Sequence, residues 1–259
     1  MTISGIRRII VRVLLLEAGD DMARKNRINT KLEIKKIALH MFMEKGFSNV
    51  TVSEISKEVG ISKGNFTFHY ATKEHLLTEL IVDLCEFQQI VMEKMIAKND
   101  SLLAYLFELA TMAGSCYDNP VARDLYISAY THPICLHTIR ENDTKKTKQI
   151  FAKYCPRYIE KDYVVAENIV SGIEYAMFAI EQENETALHE QVKATLDAIM
   201  KIYNVPEVIR EESLKKILAM DYYKIGKRIL REFRDYVDKL NQKELEEAAL
   251  HKNHIVLDE

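Results

Sequence analysis

The sequence predicts an all-α protein, built as an N-terminal three-helix head containing a helix-turn-helix and a C-terminal helical body. Three observations carry that prediction. Apolar residues return at three- and four-residue intervals through most of the chain, the period of a helix with one buried face. Only 8 Gly and 4 Pro occur in 259 residues, so few positions interrupt those runs. No segment alternates apolar and polar residues as a half-buried strand would. At 47% hydrophobic and 29% charged, the chain can bury a core, and disorder is not expected.

The chain opens on an apolar run, Ile9, Ile10, Val11, Val13, Leu14, Leu15 and Leu16, behind Arg7 and Arg8. Arg12 interrupts it, the acidic stretch Glu17 to Asp21 follows it, and it is too short to span a bilayer. It reads as an extension, with Met22 a candidate start ahead of the basic arm Ala23 to Arg27. Helix one follows, from the spacing of Leu32, Ile34, Ile37, Ala38, Met41 and Phe42, and ends at Gly46.

Thr51 with Glu54 three residues later forms a capping box and starts a short second helix, with Val52, Ile55 and Val59 inward and Gly60 ending it. Ser62 caps a third helix. Two short helices around a glycine, the second carrying small polar and aromatic residues, are the layout of a DNA-reading helix-turn-helix. Thr72 caps a fourth helix, in which Leu76 to Met95 keep helical spacing for six turns.

Beyond Asn99 the punctuation predicts helices over Ser101 to Tyr117, Val121 to Thr131, Pro133 to Tyr154, Asp162 to Glu183, Thr186 to Tyr203, and Pro206 to about Ala249. The last of these carries alternating charges from Glu211 to Glu247, with a break expected near Tyr222 to Gly226. The sequence assigns this tail no purpose.

Charge is unevenly distributed. Ten basic residues face five acidic ones between Met22 and His75, a net +5 in a chain whose total is −3, so the remainder carries −8. A basic module on an acidic body suits phosphate contact by one end. Cys85, Cys116, Cys135 and Cys155 are scattered with no Cys-x-x-Cys pair, which indicates neither a zinc site nor a disulfide framework and fits a reducing cytoplasm. Walker loop, Gly-rich dinucleotide turn, His-Glu-x-x-His and nucleophile elbow are all absent from the sequence, so an enzyme is not expected. His132 and His137 flank a Pro-containing junction without metal-pair spacing, so neither a metal nor a cofactor is called for.

The run from Gly46 through Leu77 resembles the signature of TetR-type transcription regulators. Gly46-Phe47, Thr51, Ile55, Gly60, Ser62, Gly64, His69-Tyr70 and Lys73-Glu74 fall in register with it, and the match covers some 50 residues. Thr67 stands where the family usually has Tyr, and Ala71 where Pro is frequent. The resemblance implies an extension over 1–23, a DNA-binding domain over 24–85 and a ligand-binding and dimerisation body over 86–259.

On that reading Thr51 and Ser62, with the backbone N–H groups at the helix starts, bind phosphates. Gly64 lets the third helix approach the groove, and Lys63, Asn65, Thr67 and Phe68 are offered to the DNA, Asn65 to an adenine edge and Phe68 to a thymine methyl. Lys73 is a phosphate clamp. His69 and Tyr70 divide between phosphate contact and packing, Tyr70 suiting either equally; Phe66 is core.

For the body, the resemblance implies a ligand pocket and a four-helix dimer interface. The pocket candidates are Met112, Cys116, Tyr126, Tyr130, His132, Phe151 and Phe178. For the interface the stripe Val165, Ile169, Gly172, Ile173, Ala176 and Ile180 pairs with Leu188, Val192, Leu196, Ile199 and Tyr203, although an ordinary intramolecular core accounts for any one of these residues almost as well. The expected partners are a palindromic double-stranded DNA operator, a second copy of the chain and an unknown small-molecule effector, with no membrane. The expected function is ligand-responsive repression; a helical protein-interaction adaptor without specific DNA binding is the alternative.

Overall fold

The computed structural model describes residues 27–97 and 99–254, with side chains as far as Glu244; the apolar run and the candidate start at Met22 lie outside them. All regular structure among the described residues is helical. The head comprises α1 (27–45), α2 (Val52–Val59) and α3 (Lys63–His69), and α4 (Lys73–Met95) leads out of it. The body adds α5 (Ser101–Cys116), α6 (Pro120–Thr131), α7 (Pro133–Phe151), α8 (Glu160–Ala179), α9 (Glu185–Ile202), α10 (Glu207–Leu218) and α11 (Tyr222–His254).

Local chemistry sets the helix ends of the head. Gly46 follows α1 with φ +87°, and a Cβ there would also lie 2.8 Å from Asp124 Oδ2, so only glycine fits on two counts. The Thr51–Glu54 capping box is formed: Glu54 N donates to Thr51 Oγ1 at 3.2 Å, and Thr51 N donates to Glu54 Oε2 at 2.8 Å. Gly60 closes α2 in the left-handed region, φ +78°. Asn65 N donates to Ser62 Oγ at 3.1 Å and His75 N to Thr72 Oγ1 at 3.4 Å, so the caps of α3 and α4 stand as the sequence predicts.

In the body, α5 is the axle. From Tyr105 to Cys116 every residue is buried, and α4, α6, α7, α8, α9, α10 and α11 all pack on it. The tail is two helices, and the break expected near Tyr222 to Gly226 falls just before it, at Ala219 to Asp221. Gly226 lies inside α11 for a different reason: its backbone crosses α5 so closely that a Cβ would stand 2.2 Å from Thr111 O. Gly114 is the reciprocal contact, a Cβ there meeting Tyr222 O at 2.8 Å. Beyond the crossing, α11 buries Ile229, Leu230, Phe233 and Val237, and its far end reaches the head. There Asn241 Nδ2 donates to Leu32 O at 3.3 Å, and Asp238 lies 3.5 Å from His40. Among the described residues, no helix is long and apolar enough to cross a membrane.

Candidate nucleic-acid interface and body cavity

The side chains of α3 divide by face. Phe66 is fully buried and fixes the helix against the head, while Lys63, Gly64, Asn65, Thr67 and Phe68 are exposed together on the opposite side. Phe68 is 65% exposed, a large apolar ring held out of the core on a helix that is otherwise well anchored. Beside it, Arg27 and Thr30 from α1 join Asn65, Phe68 and His69 around a shallow recess. His69 is partly covered; burial, then Lys31 and Arg27, hold its imidazole below the ordinary range and favour the neutral ring.

Several expected phosphate ligands are engaged inside the protein. Thr51 donates its hydroxyl to Glu54 Oε2 at 2.7 Å and Thr67 donates to Gly64 O at 3.0 Å, so both hydroxyls serve their own helices, as Ser62 does in its cap. Tyr70 is 2% exposed and its OH donates to Glu79 Oε2 at 3.0 Å, so it is a core residue and not a DNA contact. Lys73 is placed differently from a clamp on phosphate. Its Nζ donates to Phe47 O and Val50 O, both at 2.8 Å, above the Phe47 ring at 4.1 Å, and burial lowers the pKa of the ammonium. It clasps the loop between α1 and α2.

The body contains a cavity of about 50 Å³ walled by α1, α4, α5, α6, α7, α8 and α11. Of the predicted pocket residues, Met112, Tyr126 and Tyr130 line it. The other four stand outside. Phe178 backs the wall, stacked on Tyr126 with centroids 5.1 Å apart, and Phe151 stacks on Tyr203 at 4.2 Å. His132 meets Phe47 of the head edge-on at 5.5 Å, and Cys116 is buried in the last turn of α5. The sequence reading missed the polar end of the cavity: Gln88, Tyr105, Glu108, Asp143, Lys146 and Glu174.

At that end Glu174 is buried, accepting from Tyr130 OH at 2.9 Å and Tyr105 OH at 3.5 Å. Burial, then the charges of Glu167 and Asp143, raise its pKa well above the usual carboxylate range. Burial, then Asp143, push Glu167 up to about 8, and burial, opposed by Lys146 and aided by Glu108, raises Asp143 to about 6. Lys146 donates to Glu108 Oε2 at 2.5 Å; burial opposes its charge, but Glu108 and Asp143 outweigh that and hold it protonated. This pair, with Cys85, Tyr105 and Asp143, separates the cavity from an open groove of about 500 Å³ between α4, α5 and α7.

The helix α8 buries Tyr163, Ala166, Val170, Met177 and Phe178 but sets two acids among them and leaves an apolar stripe outside. Glu167 and Glu174, two turns apart, face the interior, while Val164, Val165, Ile169, Tyr175 and Ile180 are 38–57% exposed. A Cβ on Gly172 would meet nothing within 4 Å. The expected partner stripe on α9 does not join that surface: Leu188, Val192, Leu196, Ile199 and Tyr203 are all buried within the chain, because α9 turns its apolar face to α5 and α8.

Residues 34–80, which span α1 to the start of α4, match the family model of bacterial regulatory proteins, tetR family. An uncharacterized HTH-type transcriptional regulator of Bacillus subtilis, YerO, is 43% identical over 61 residues, 23% of this chain and 20% of that protein. The chain thus aligns with only a fifth of that relative. The HTH-type transcriptional regulator QacR of Staphylococcus aureus is 26% identical over 161 residues, 56% of this chain and 85% of its own length. The head therefore matches the tetR family model, and the likeness to the transcriptional regulator QacR continues into the body.

Its fold is shared with RolR, solved in complex with resorcinol, at a TM-score of 0.56 and 16% identity over 74% of this chain and 96% of that one. The head and α4 are tied to the body at several places, Asp238 beside His40 among them. Ser48 N donates to Asp124 Oδ2 at 2.9 Å, Phe47 meets His132, Thr78 Oγ1 lies 3.3 Å from Cys135 Sγ, and Asn241 holds Leu32. The helix α4 runs unbroken through position 85, where the sequence placed a domain boundary, and it lines the cavity with Leu77, Leu80, Ile81, Leu84, Cys85 and Gln88.

Proposed function

We propose that this chain is a homodimeric, ligand-responsive repressor of the tetR family. Its two heads occupy neighbouring major grooves of a palindromic operator, and its body receives a small effector that resets their spacing. The exposed face of α3 carries the reading: Lys63, Asn65 and Phe68 stand together on a helix whose other side, at Phe66, is locked into the head. Lys63 supplies charge for phosphate or guanine, Asn65 the paired donor and acceptor that suit adenine, and Phe68 an apolar surface for a thymine methyl.

The open stripe on α8 supports pairing with a second copy. Covering Val165, Ile169 and Ile180 is worth roughly 1.5–3 kcal/mol for each side chain fully buried, and a two-fold axis lets one helix face its own copy. A dimer sets the two heads about 34 Å apart, one turn of duplex. Effector response is supported by α4, which runs from the head cap at Thr72 to the wall of the cavity.

The experiment is selection of genomic DNA fragments by the purified protein at physiological salt with competitor DNA, alongside the double variant Lys63→Ala, Asn65→Ala. Enrichment of a palindromic fragment, lost in the double variant, is the expected result. Weak and sequence-blind binding by both proteins would overturn the reading and favour a protein-interaction adaptor.

A further inference from the structure

We infer that Asp143, Glu167 and Glu174 form a binding site for one hard, oxygen-seeking divalent metal ion, and that this ion is the effector of the body. The inference rests on the ligand-responsive reading above and names the chemistry of the ligand.

Three observations carry it. Carboxylate oxygens of the three residues lie within 4.8 Å of one another, at the junction of α7 and α8. Oxygens sharing an ion through bonds of about 2.0–2.6 Å stand within that reach. Second, Glu167 is wholly buried and its Oε1 has no hydrogen-bond partner, while its other oxygen accepts from Tyr203 OH at 3.4 Å. A buried acceptor with no donor is costly and calls for a ligand. The neighbouring hydrogen bonds go to other acceptors: Tyr130 and Tyr105 donate to Glu174, Arg140 Nε to Ser171 Oγ at 2.8 Å, and Lys146 to Glu108. Third, acids outnumber bases around the cluster: Glu108, Asp143, Glu167 and Glu174 face only Lys146 and Arg140.

Size and donor type favour a metal over an organic cation. Asp143 and Glu174 line the cavity of about 50 Å³, with Glu167 behind them; that space suits an ion with a few waters, whereas drug-sized ligands need roughly 300 Å³ or more. Three carboxylates ringed by tyrosine hydroxyls offer oxygen alone, the donor set of magnesium, calcium and manganese, not of zinc or copper. Asp143 is half-buried and lines both the cavity and the outer groove, so the wall an ion would cross is one side chain thick there.

An ion held by Asp143 of α7 and by Glu167 and Glu174 of α8 draws the two helices together. The start of α7 touches the head through His132 and, at Cys135, through Thr78. Occupancy therefore biases how the head sits.

The test is equilibrium dialysis of chelator-stripped protein against Mn2+, Ca2+ and Mg2+ in turn, with thermal melts of the same samples, for the wild type and for Glu167→Gln and Glu174→Gln. Glutamine is a neutral isostere of these buried carboxyls, so the metal-free variants are expected to melt near the wild type. The expected result is one ion per chain with a raised melting temperature, and at least about tenfold weaker binding in either variant. No saturable binding of any of the three ions, or equal binding by wild type and variants, would overturn the site. Operator affinity measured with and without the tightest-binding ion separates the two readings. A bound ion that changes affinity supports both inferences, while one that leaves it unchanged keeps the site and removes its role as effector. Release of DNA by an organic amine in protein that binds no ion overturns the metal site and leaves ligand-responsive repression standing.

Discussion

Gly226 on α11 and Thr111 on α5 are separated by no more than a hydrogen: a Cβ on Gly226 would stand 2.2 Å from the Thr111 carbonyl oxygen and 2.8 Å from Ser115 N. The obstructing atoms are backbone, so no rotamer change relieves the clash. Gly226→Ala must lever α11 off α5, disturbing Phe233 in the cavity wall and the Asn241 contact with Leu32. We expect a loss of about 3 kcal/mol, the upper end for overpacked sites, read by urea denaturation. A change below about 1 kcal/mol would show that the helices do not cross at this point.

Lys63 and Lys73 should separate under salt titration of DNA binding. Lys63 is exposed on α3, whereas the Lys73 ammonium is held between Phe47 O and Val50 O. Lys63→Ala is expected to reduce the slope of log affinity against log salt by about 1, as one phosphate contact is lost. Lys73→Met should leave the slope unchanged and instead speed amide hydrogen exchange across residues 46–50. A fall in slope for Lys73→Met with exchange unaltered would return Lys73 to the phosphate.

The contrast shows what could be read from sequence. Helix caps are local, so Thr51, Gly60, Ser62 and Thr72 were legible from neighbours three residues away, and the head followed from them. Lys73 and Tyr70 depend on partners that spacing does not reveal: two loop carbonyls in one case, Glu79 in the other. In the body, an aromatic-rich pocket was sought where the decisive residues are acids. Glu167 and Glu174 are seven apart, on the side of α8 opposite Val165 and Ile169. That spacing was available, but placing charge inside and aliphatics outside reverses the usual assignment. The α11 crossing was not legible, since a helical glycine looks like a break until its neighbour is known.

Asp197 supplies a pH dependence. Burial is the largest single influence and raises its pKa, but hydrogen bonds and charge from Lys201 at 2.6 Å and Arg210 Nε at 2.8 Å together outweigh it and hold the carboxyl below its ordinary value. A carboxylate depressed in the folded state stabilises above its unfolded pKa of about 3.9 and loses that contribution as pH falls through the folded value. Asp197→Asn should therefore destabilise the protein near neutrality, where the tie from α9 to Arg210 of α10 is lost. The gap between variant and wild type should begin to narrow below about pH 4 and close as pH falls through the lower folded value. Urea melts of both proteins from pH 7 down to about pH 2 check this, and a gap that stays constant would mean the ion pairs contribute nothing through charge.

Ile169→Glu tests the outward face of α8. Ile169 is 52% exposed in the single chain, between Val165 and the open backbone of Gly172, so a carboxylate there meets water and no intramolecular partner is lost. Folding of the monomer should be little affected, within about 0.5 kcal/mol for a surface change. If this stripe pairs with its own copy, two like charges are brought into an apolar contact, where neither can be solvated nor neutralised. Sedimentation equilibrium should then show a monomer in place of a dimer. DNA binding should weaken as well, because two heads on one particle gain affinity from their linkage that a single head does not have. A variant that remains dimeric would move the interface off α8, while one that unfolds would show that Ile169 serves the chain's own core.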